Sequence, residues 1–159
     1  MRPVRVEDIM TRDVRSCAAD DTLATAAQIM WENDCGAVPV TDRDGKVVGI
    51  VTDRDLAMAS HLQGVPLHES RVATAMARDV RSCLPTDSPA TVQALMQHHK
   101  IRRVPVVDAE RRLVGIVSLG DLAYLMASDQ AQGSDGLTWT ALAHTLSAVS
   151  SPRLPRYRR

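Results

Sequence analysis

Two short segments of the sequence combine residue types that can bind a phosphorylated nucleoside. Each reads Gly-Ile-Val, then Thr or Ser, then two other residues and an Asp; the key positions are Gly49, Thr52 and Asp55 in the first and Gly115, Ser118 and Asp121 in the second. The apolar run predicts a strand, and the hydroxyl residue predicts the start of a helix. A helix N-terminus presents free N–H groups to a phosphate, a hydroxyl adds a donor, and a carboxylate accepts from ribose hydroxyls.

The same spacing also has a purely structural interpretation. A Thr or Ser followed three residues later by an acid forms a capping box, in which both side chains bond the backbone of the first helical turn. For a single segment we would favour capping. Because the pattern occurs twice, each time between an apolar strand and a helix, we favour ligand binding, and the same groups can cap the helix while the site is empty.

The two segments belong to an internal repeat, which has to be recognised before a fold is assigned. Residues 5–60 align without a gap with residues 71–126, and one register holds at the start, middle and end of the aligned region. We therefore expect a first repeat, copy one (1–64), a second repeat, copy two (65–130), and a third region (131–159) that contains a linker, a short helix and a basic tail.

Each copy predicts the element order β-α-β-β-α. In copy one the expected elements are a strand over 14–17, a helix capped by Asp20 and Asp21, a strand over 37–40, a turn at Asp44 and Gly45, a strand over 47–51, and a helix from Asp53 to His61 that Gly64 ends. In copy two, Ser88 and Pro89 are well suited to open the first helix. The second turn, over 109–112, lacks a Gly, so we expect it to have a different shape.

This element order places the chain in the α/β (α+β) class. One copy is too small to bury a comfortable core by itself. We therefore expect the two copies to pack sheet to sheet with pseudo-twofold symmetry, leaving two equivalent clefts between them.

The motifs together resemble paired CBS domains, which are named after cystathionine beta-synthase and also called a Bateman module. The resemblance rests on the two Gly-Ile-Val segments, the Val-Pro-Val strands at 38–40 and 104–106, and the openings at 8–14 and 74–80. It covers residues 5–128 and extends to the small stand-alone bacterial proteins that consist of little more than one CBS pair. It implies a regulatory module with no required cofactor, whose ligand is AMP, ADP, ATP or S-adenosylmethionine, and sometimes NAD or a cyclic dinucleotide.

The resemblance also implies roles for individual residues. Thr52 and Ser118 would touch phosphate, and Asp55 and Asp121 would hold ribose. The base pockets would be lined by Val14, Ser16, Val80 and Ser82, with Ala37 and Val38.

The two sites differ in the residues that precede the Val-Pro-Val strands. Copy two has a basic cluster there, formed by His98, His99, Lys100, Arg102 and Arg103. Copy one has Ala37 in the place of Arg103, preceded by Asp34, Cys35 and Gly36, although Arg54 can partly substitute. Cations also suit the C-terminal end of a helix, which is an alternative explanation of the cluster. We expect tighter nucleotide binding in the second cleft.

Several function classes are disfavoured. No nucleophile elbow, P-loop or metal-ligand spacing is present, so we expect no enzyme and no metal site. Aromatic residues make up only 3%, and the body is acidic once residues 152–159 are set aside, so nucleic acid binding is not expected. No apolar run is long enough to cross a membrane. Three cysteines without a C-x-x-C pair indicate reduced thiols and a cytoplasmic location.

An alternative from another class is a dimeric interaction or structural protein with vestigial clefts. In that case Cys17 and Cys83, which occupy matching positions, would tune it by oxidation, although small buried hydrophobic residues are the simpler interpretation. We expect a homodimer that acts on an unknown effector protein. Its interface would use the apolar helix residues Leu56, Met58, Ala59, Leu62, Leu122, Leu125 and Met126.

The third region has two expected parts. Residues 137–149 predict a short amphipathic helix with Leu137, Ala141, Leu142 and Leu146 on one side. The basic tail over 152–159 contains two Pro and four Arg, and we expect it to be dispensable for folding and ligand binding.

Overall fold

The computed structural model describes residues 2–128 and 136–151, so the basic tail lies outside the described residues. The helices are α1 (Val6–Ile9), α2 (Leu23–Glu32), α3 (Asp53–Gln63), α4 (Pro89–His99), α5 (Leu119–Ala127) and α6 (Trp139–Ser150). The strands are β1 (Ala37–Thr41), β2 (Val47–Thr52), β3 (Arg103–Val107) and β4 (Leu113–Ser118). β1 pairs with β2 and β3 with β4, which gives two small two-stranded sheets. The predicted mixed fold of helices and strands is confirmed.

The predicted hairpin of copy one is confirmed in detail. β1 runs antiparallel to β2, with Ala37 opposite Thr52 and Val40 opposite Gly49. Gly45 closes the turn with a φ of +78°, a left-handed conformation that suits glycine. The Asp42 carboxylate accepts from the backbone N–H groups of Asp44 and Lys46 and so holds the turn in place.

The expectation of a different turn in copy two is wrong. Arg111, which aligns with Gly45, adopts a φ of +67°. The Asp108 carboxylate accepts from the N–H groups of Glu110 and Arg112, as Asp42 does in copy one. These bonds, with an ion pair of 2.8 Å from Arg112 to Asp108, offset the strain of a left-handed non-glycine residue.

The strand predicted over 14–17 is reduced to one residue. Cys17 forms an isolated parallel bridge with Val40, and Cys83 forms the matching bridge with Val106. The Cys17 N–H donates to the Pro39 carbonyl and its carbonyl accepts from Thr41. The chain turns immediately afterwards, where the Ala18 N–H donates to the Asp21 carboxylate, so the pairing cannot extend.

The predicted helices of the repeats are confirmed, but α3 extends to Gln63 rather than His61, and the first cap differs. Thr22, rather than Asp20 or Asp21, caps α2 by accepting from the Thr25 N–H, because Asp21 is engaged in the preceding turn. Gly64 ends α3 in a left-handed conformation. Ser88 caps α4, and Pro89 is its first residue.

Each of the two compact units of the chain contains a segment from the other repeat. Residues 2–11 belong to a unit with 83–106 and 116–151, in which the Val6 N–H donates to the Asp87 carbonyl and Thr11 pairs with Ile116. The other unit combines 12–82 with 107–115, and there Val72 donates to Asp21 and Ala77 pairs with Ile50. The sequence alignment alone did not predict this exchange of the segments that open each repeat.

The helix predicted in the third region is confirmed as α6. It packs on α4 and α5 and buries Leu142 and Thr145, while Leu146 stays exposed. Gln93 of α4 donates to the Thr145 hydroxyl at 2.8 Å. In copy one Ala27 aligns with Gln93, and the described chain places no such third helix over α2 and α3.

Most residues expected at a dimer interface are buried within the chain instead. Four of them are at most 6% exposed, because their side chains lie on the inward faces of α3 and α5: Leu56, Ala59, Leu122 and Leu125. Met58 and Leu62 remain exposed, and so does Trp31 of α2. The outward apolar residues of copy one are therefore fewer than, and partly different from, those predicted.

Candidate functional site

In copy two the predicted site residues form a helix cap. The Asp121 Oδ2 atom accepts from the Ser118 N–H at 2.7 Å and from the Ser118 hydroxyl at 2.8 Å. The Ser118 hydroxyl in turn accepts from the Asp121 N–H at 3.1 Å. The other carboxylate oxygen, Oδ1, has no hydrogen bond among the described residues. The capping interpretation therefore holds, and Oδ1 can accept a hydrogen bond from a ligand.

Copy one has the same cap with nearly the same distances. Asp55 Oδ2 accepts from the Thr52 N–H and hydroxyl, both at 2.8 Å. The Thr52 hydroxyl accepts from the Asp55 N–H at 3.2 Å. Any difference in binding between the copies must therefore come from residues around the caps rather than from the caps themselves.

The residues around the caps do differ. The Leu119 N–H donates to the Arg102 carbonyl at 2.8 Å, which fixes Arg102 and Arg103 beside the start of α5. In copy one the matching bond runs from Asp53 to the Gly36 carbonyl. Two arginines therefore stand beside the cap in copy two, where copy one has Gly36 and a small buried Ala37.

The first turns of the two helices also differ. In copy one the Asp53 carboxylate accepts from the Arg54 N–H at 2.7 Å. Leu119 and Gly120 replace these two residues in copy two, where no side chain among the described residues accepts from the Gly120 N–H. The start of α5 therefore lacks the carboxylate that Asp53 provides in α3, and it also has Arg102 and Arg103 beside it.

The expected base-pocket residues are placed less uniformly. Val38 is fully buried in the core of its unit and touches no open surface, because it lies on the inward side of β1. Ala37 is also buried. Val14 is partly buried, and Ser16 is exposed and accepts from the Thr41 hydroxyl. Val80 and Ser82 are partly buried in the unit that holds most of copy one.

A cavity of about 640 Å³ opens beside the copy-two cap. Arg102, Arg103 and Ser118 line one part of it, and α5 and α6 supply the rest. Sequence reasoning identified these three residues but missed the contribution of α6, because nothing in the sequence links a helix beyond the repeats to the start of α5.

The two matched cysteines are poorly suited to redox chemistry. Cys17 and Cys83 are each 4% exposed. Burial, with a smaller contribution from Asp21, raises the pKa of Cys17 to about 11. Burial, assisted by Asp87, raises the pKa of Cys83 to about 12. Both thiols therefore stay protonated near neutral pH, and a protonated thiol is a weak nucleophile.

Neither a metal cluster nor a spanning helix is found among the described residues. Over 2–128 and 136–151, no three His, Cys, Asp or Glu side chains are grouped so that they could hold a metal ion. Within the same ranges, every helix is too short or too polar to cross a membrane.

Comparisons with known proteins agree with the repeat and the fold. The family model described as CBS domain matches residues 6–62 and 72–128. The CBS domain-containing protein YhcV of Bacillus subtilis is 38% identical over 129 residues, which cover 81% of this chain and 90% of that protein. Hypoxic response protein 1 of Mycobacterium tuberculosis is 40% identical over 121 residues, covering 73% of this chain and 80% of that protein.

Solved structures show the same likeness. The CBS domain pair of protein MJ0100, solved in complex with 5'-methylthioadenosine and S-adenosyl-L-methionine, has a TM-score of 0.72 at 29% identity and covers 79% of this chain and 97% of that chain. Hypoxic Response Protein I, solved with two coordinated zinc ions, has a TM-score of 0.69 at 32% identity and covers 76% of this chain and 98% of that chain.

Proposed function

The chain belongs to the CBS domain family, and from this premise we propose that it is a non-catalytic regulatory module that binds an adenine nucleotide or related adenosyl compound. The ligand would bind at the copy-two cap and alter how the protein presents its surface to a partner in trans. A ligand shifts such a balance only by its different affinity for the two states. The three cysteines are free thiols and two of them are buried, which fits a reducing cytoplasm.

The observation that carries this proposal is the pair of arginines beside the Ser118–Asp121 cap. The cap supplies a carboxylate oxygen, Oδ1, for ribose hydroxyls, and Arg102 and Arg103 supply positive charge for phosphate. Copy one has the same carboxylate in Asp55 but neither arginine. The complex of the MJ0100 domain pair with two adenosyl compounds supports this ligand class. AMP, ADP, ATP and S-adenosylmethionine are the members we expect to bind.

Matched substitutions in the two caps test the proposal. Asp121→Asn and Asp55→Asn each weaken the same kind of cap, so their stability costs should be similar, about 1 kcal/mol. We expect Asp121→Asn to remove most of the calorimetric heat with AMP, ADP, ATP or S-adenosylmethionine and Asp55→Asn to change it little. Equal losses from both variants would refute the asymmetry between the copies.

Arg103→Gln tests the phosphate part of the site. It should weaken AMP about ten- to hundredfold, because a charge-assisted hydrogen bond is lost. Adenosine, which lacks the phosphate, should bind almost as before and serves as the control. Equal weakening of AMP and adenosine would contradict the assignment of Arg103 to phosphate.

We also propose that the protein forms a homodimer through the helices of copy one. α2 packs on α3, and these helices expose Trp31 at 89%, Leu62 at 75% and Met58 at 44%. In copy two, α6 covers the matching helices. Light scattering should give twice the 17.3 kDa chain mass, and Trp31→Lys with Leu62→Lys should return it to the monomer mass. A wild-type monomer at micromolar concentration would refute this.

The same exposed residues favour the alternative of an interaction protein with vestigial sites. That protein would dimerise through Trp31 and Leu62 but give no calorimetric heat with any adenosyl ligand. The titrations above therefore decide between the two functions, and oxidation of the buried Cys17 and Cys83 is not needed in either.

A further inference from the structure

The cavity beside α5 has walls of two different kinds. One part of the lining, the cationic wall, consists of Arg102, Arg103 and Ser118, which are cationic or polar. The rest, the apolar wall, includes Leu119, Trp139 and Leu142. Among the described residues, no Asp or Glu lines the cavity. A ligand that fits both walls has an apolar body and an anionic head.

The cationic wall is not neutralised within the described chain. Neither Arg102 nor Arg103 has an ion pair or a side-chain hydrogen bond among residues 2–128 and 136–151. Gly120 lines the same space, and a Cβ at this position would meet only the Ser118 hydroxyl oxygen within 4 Å, at 3.4 Å. The end of the cavity that would receive an anion is therefore open and keeps the positive charge of the two arginines.

This cavity lies on a different side of α5 from the residue proposed to hold ribose. Leu119, Gly120 and Ala123 line it, and at 100° per residue they share one side of the helix. Asp121 lies about 150° from the middle of that side and does not line the cavity. The cavity therefore does not depend on the ribose role of Asp121.

Much of the apolar wall lies outside the CBS repeats. Trp139, Leu142 and Leu146 come from α6, which lies beyond the residues that match the CBS domain model. α6 is held in place by the buried bond from Gln93 to Thr145. The volume of about 640 Å³ lies within the range of small-molecule sites.

We infer that this cavity binds an amphipathic organic anion with an aliphatic or aromatic body and one carboxylate or phosphate head. The body lies between α5 and α6 against Trp139 and Leu142. The head lies against Arg102 and Arg103, where charge-assisted hydrogen bonds fix its orientation. This site goes beyond the proposed adenosyl function, but it shares Arg102 and Arg103 with the proposed phosphate site, so the two ligands should compete for these arginines.

Trp139 provides a direct signal for the test. The chain has two Trp, so in a Trp31→Phe background the fluorescence reports on Trp139 alone. We expect saturable titrations with decanoate or decyl phosphate, each kept below its micelle concentration. Decanol, which has the same body without the charge, should bind at least roughly tenfold more weakly.

Two substitutions locate the site. Ala123→Leu fills the apolar part and should weaken decanoate roughly tenfold or more, whereas Ala57→Leu, at the matching exposed position of copy one, should have no effect. Arg102→Gln combined with Arg103→Gln should remove the preference for decanoate over decanol. Circular dichroism confirms that each variant is folded before titration.

The outcomes also separate this site from the adenosyl site. Asp121→Asn should leave decanoate binding unchanged while it impairs binding of AMP. Decanol binding as tightly as both anions, or unchanged decanoate affinity in Ala123→Leu, would overturn the inference. Neither of these results would bear on whether AMP binds at the cap.

Discussion

Thr145→Val should detach α6 from its anchor on α4. The Thr145 hydroxyl is fully buried and Gln93 is 7% exposed, and the Gln93 Nε2 atom donates to the Thr145 hydroxyl at 2.8 Å. The Nε2 atom also donates to the Gln97 Oε1 atom at 2.8 Å. Valine has nearly the shape of threonine, so the substitution removes the acceptor without leaving a large cavity.

The cost follows from what each partner retains. After Thr145→Val, one Gln93 N–H is left buried beside a methyl group, with only the Ala141 carbonyl nearby, at 3.5 Å. A buried unsatisfied donor costs about 1–3 kcal/mol, which lowers the melting temperature by roughly 2–12 °C in a chain of this size. Gln93→Leu should cost less, because the Thr145 hydroxyl still donates to the Ala141 carbonyl at 2.9 Å.

A double-mutant cycle measured by urea denaturation separates the bond from its surroundings. The double variant with Gln93→Leu and Thr145→Val places two apolar side chains together. Its loss of stability should therefore be clearly smaller than the sum of the losses in the two single variants. The expected coupling is about 1–2 kcal/mol. Additive effects, within about 0.3 kcal/mol, would show that this bond does not anchor α6, and the reasoning would fail.

Three further outcomes are expected. Gly49→Ala should destabilise the protein by about 1–3 kcal/mol, because a Cβ there would lie 2.7 Å from the Met76 sulfur and 3.1 Å from the Ala77 carbonyl oxygen. Gly120→Ala, in the open first turn of α5, should instead be neutral or stabilising. Thermal denaturation measures both effects. Arg111→Gly should stabilise the fold by up to about 1 kcal/mol in urea denaturation by relieving its positive φ; clear destabilisation would show that the Arg111 side chain contributes unrecognised contacts. In the unfolded chain the thiols ionise near the ordinary pKa of 9.0, whereas in the folded protein Cys17 and Cys83 ionise only near 11 and 12. The free energy of unfolding should therefore fall as the pH rises from 9 toward those values. Replacing both cysteines by Ala should flatten that decline.

The repeat explains why most of the fold was predictable. Because the two copies align without a gap, each turn, cap and strand could be assigned twice and checked against its counterpart. The turn at Arg111 is an informative failure. Its missing glycine predicted a different shape, but the Asp108 carboxylate makes the same two backbone bonds as Asp42. Side-chain bonding set the turn, and the aligned aspartate was the available signal.

The exchanged opening segments were not predictable from the same pattern. α1 has only four residues and one buried side chain, Val6, too few to show a helical period. The Val6 partner is the carbonyl of Asp87, a backbone atom that leaves no trace in residue types. Pairings of this kind depend on tertiary packing, whereas the local caps at Thr52 and Ser118 depend on spacing and were predicted.

The differences between the copies make sense once α6 is taken into account. Gln93 replaces the aligned Ala27 and donates to α6. Leu119 and Gly120 replace Asp53 and Arg54 and line the cavity that α6 helps to form. Substitutions that look scattered in the alignment therefore share one neighbour in the structure. In copy two they remove an acid and add an apolar wall, which is why we propose both ligand sites in that copy and the dimer interface on the helices of copy one.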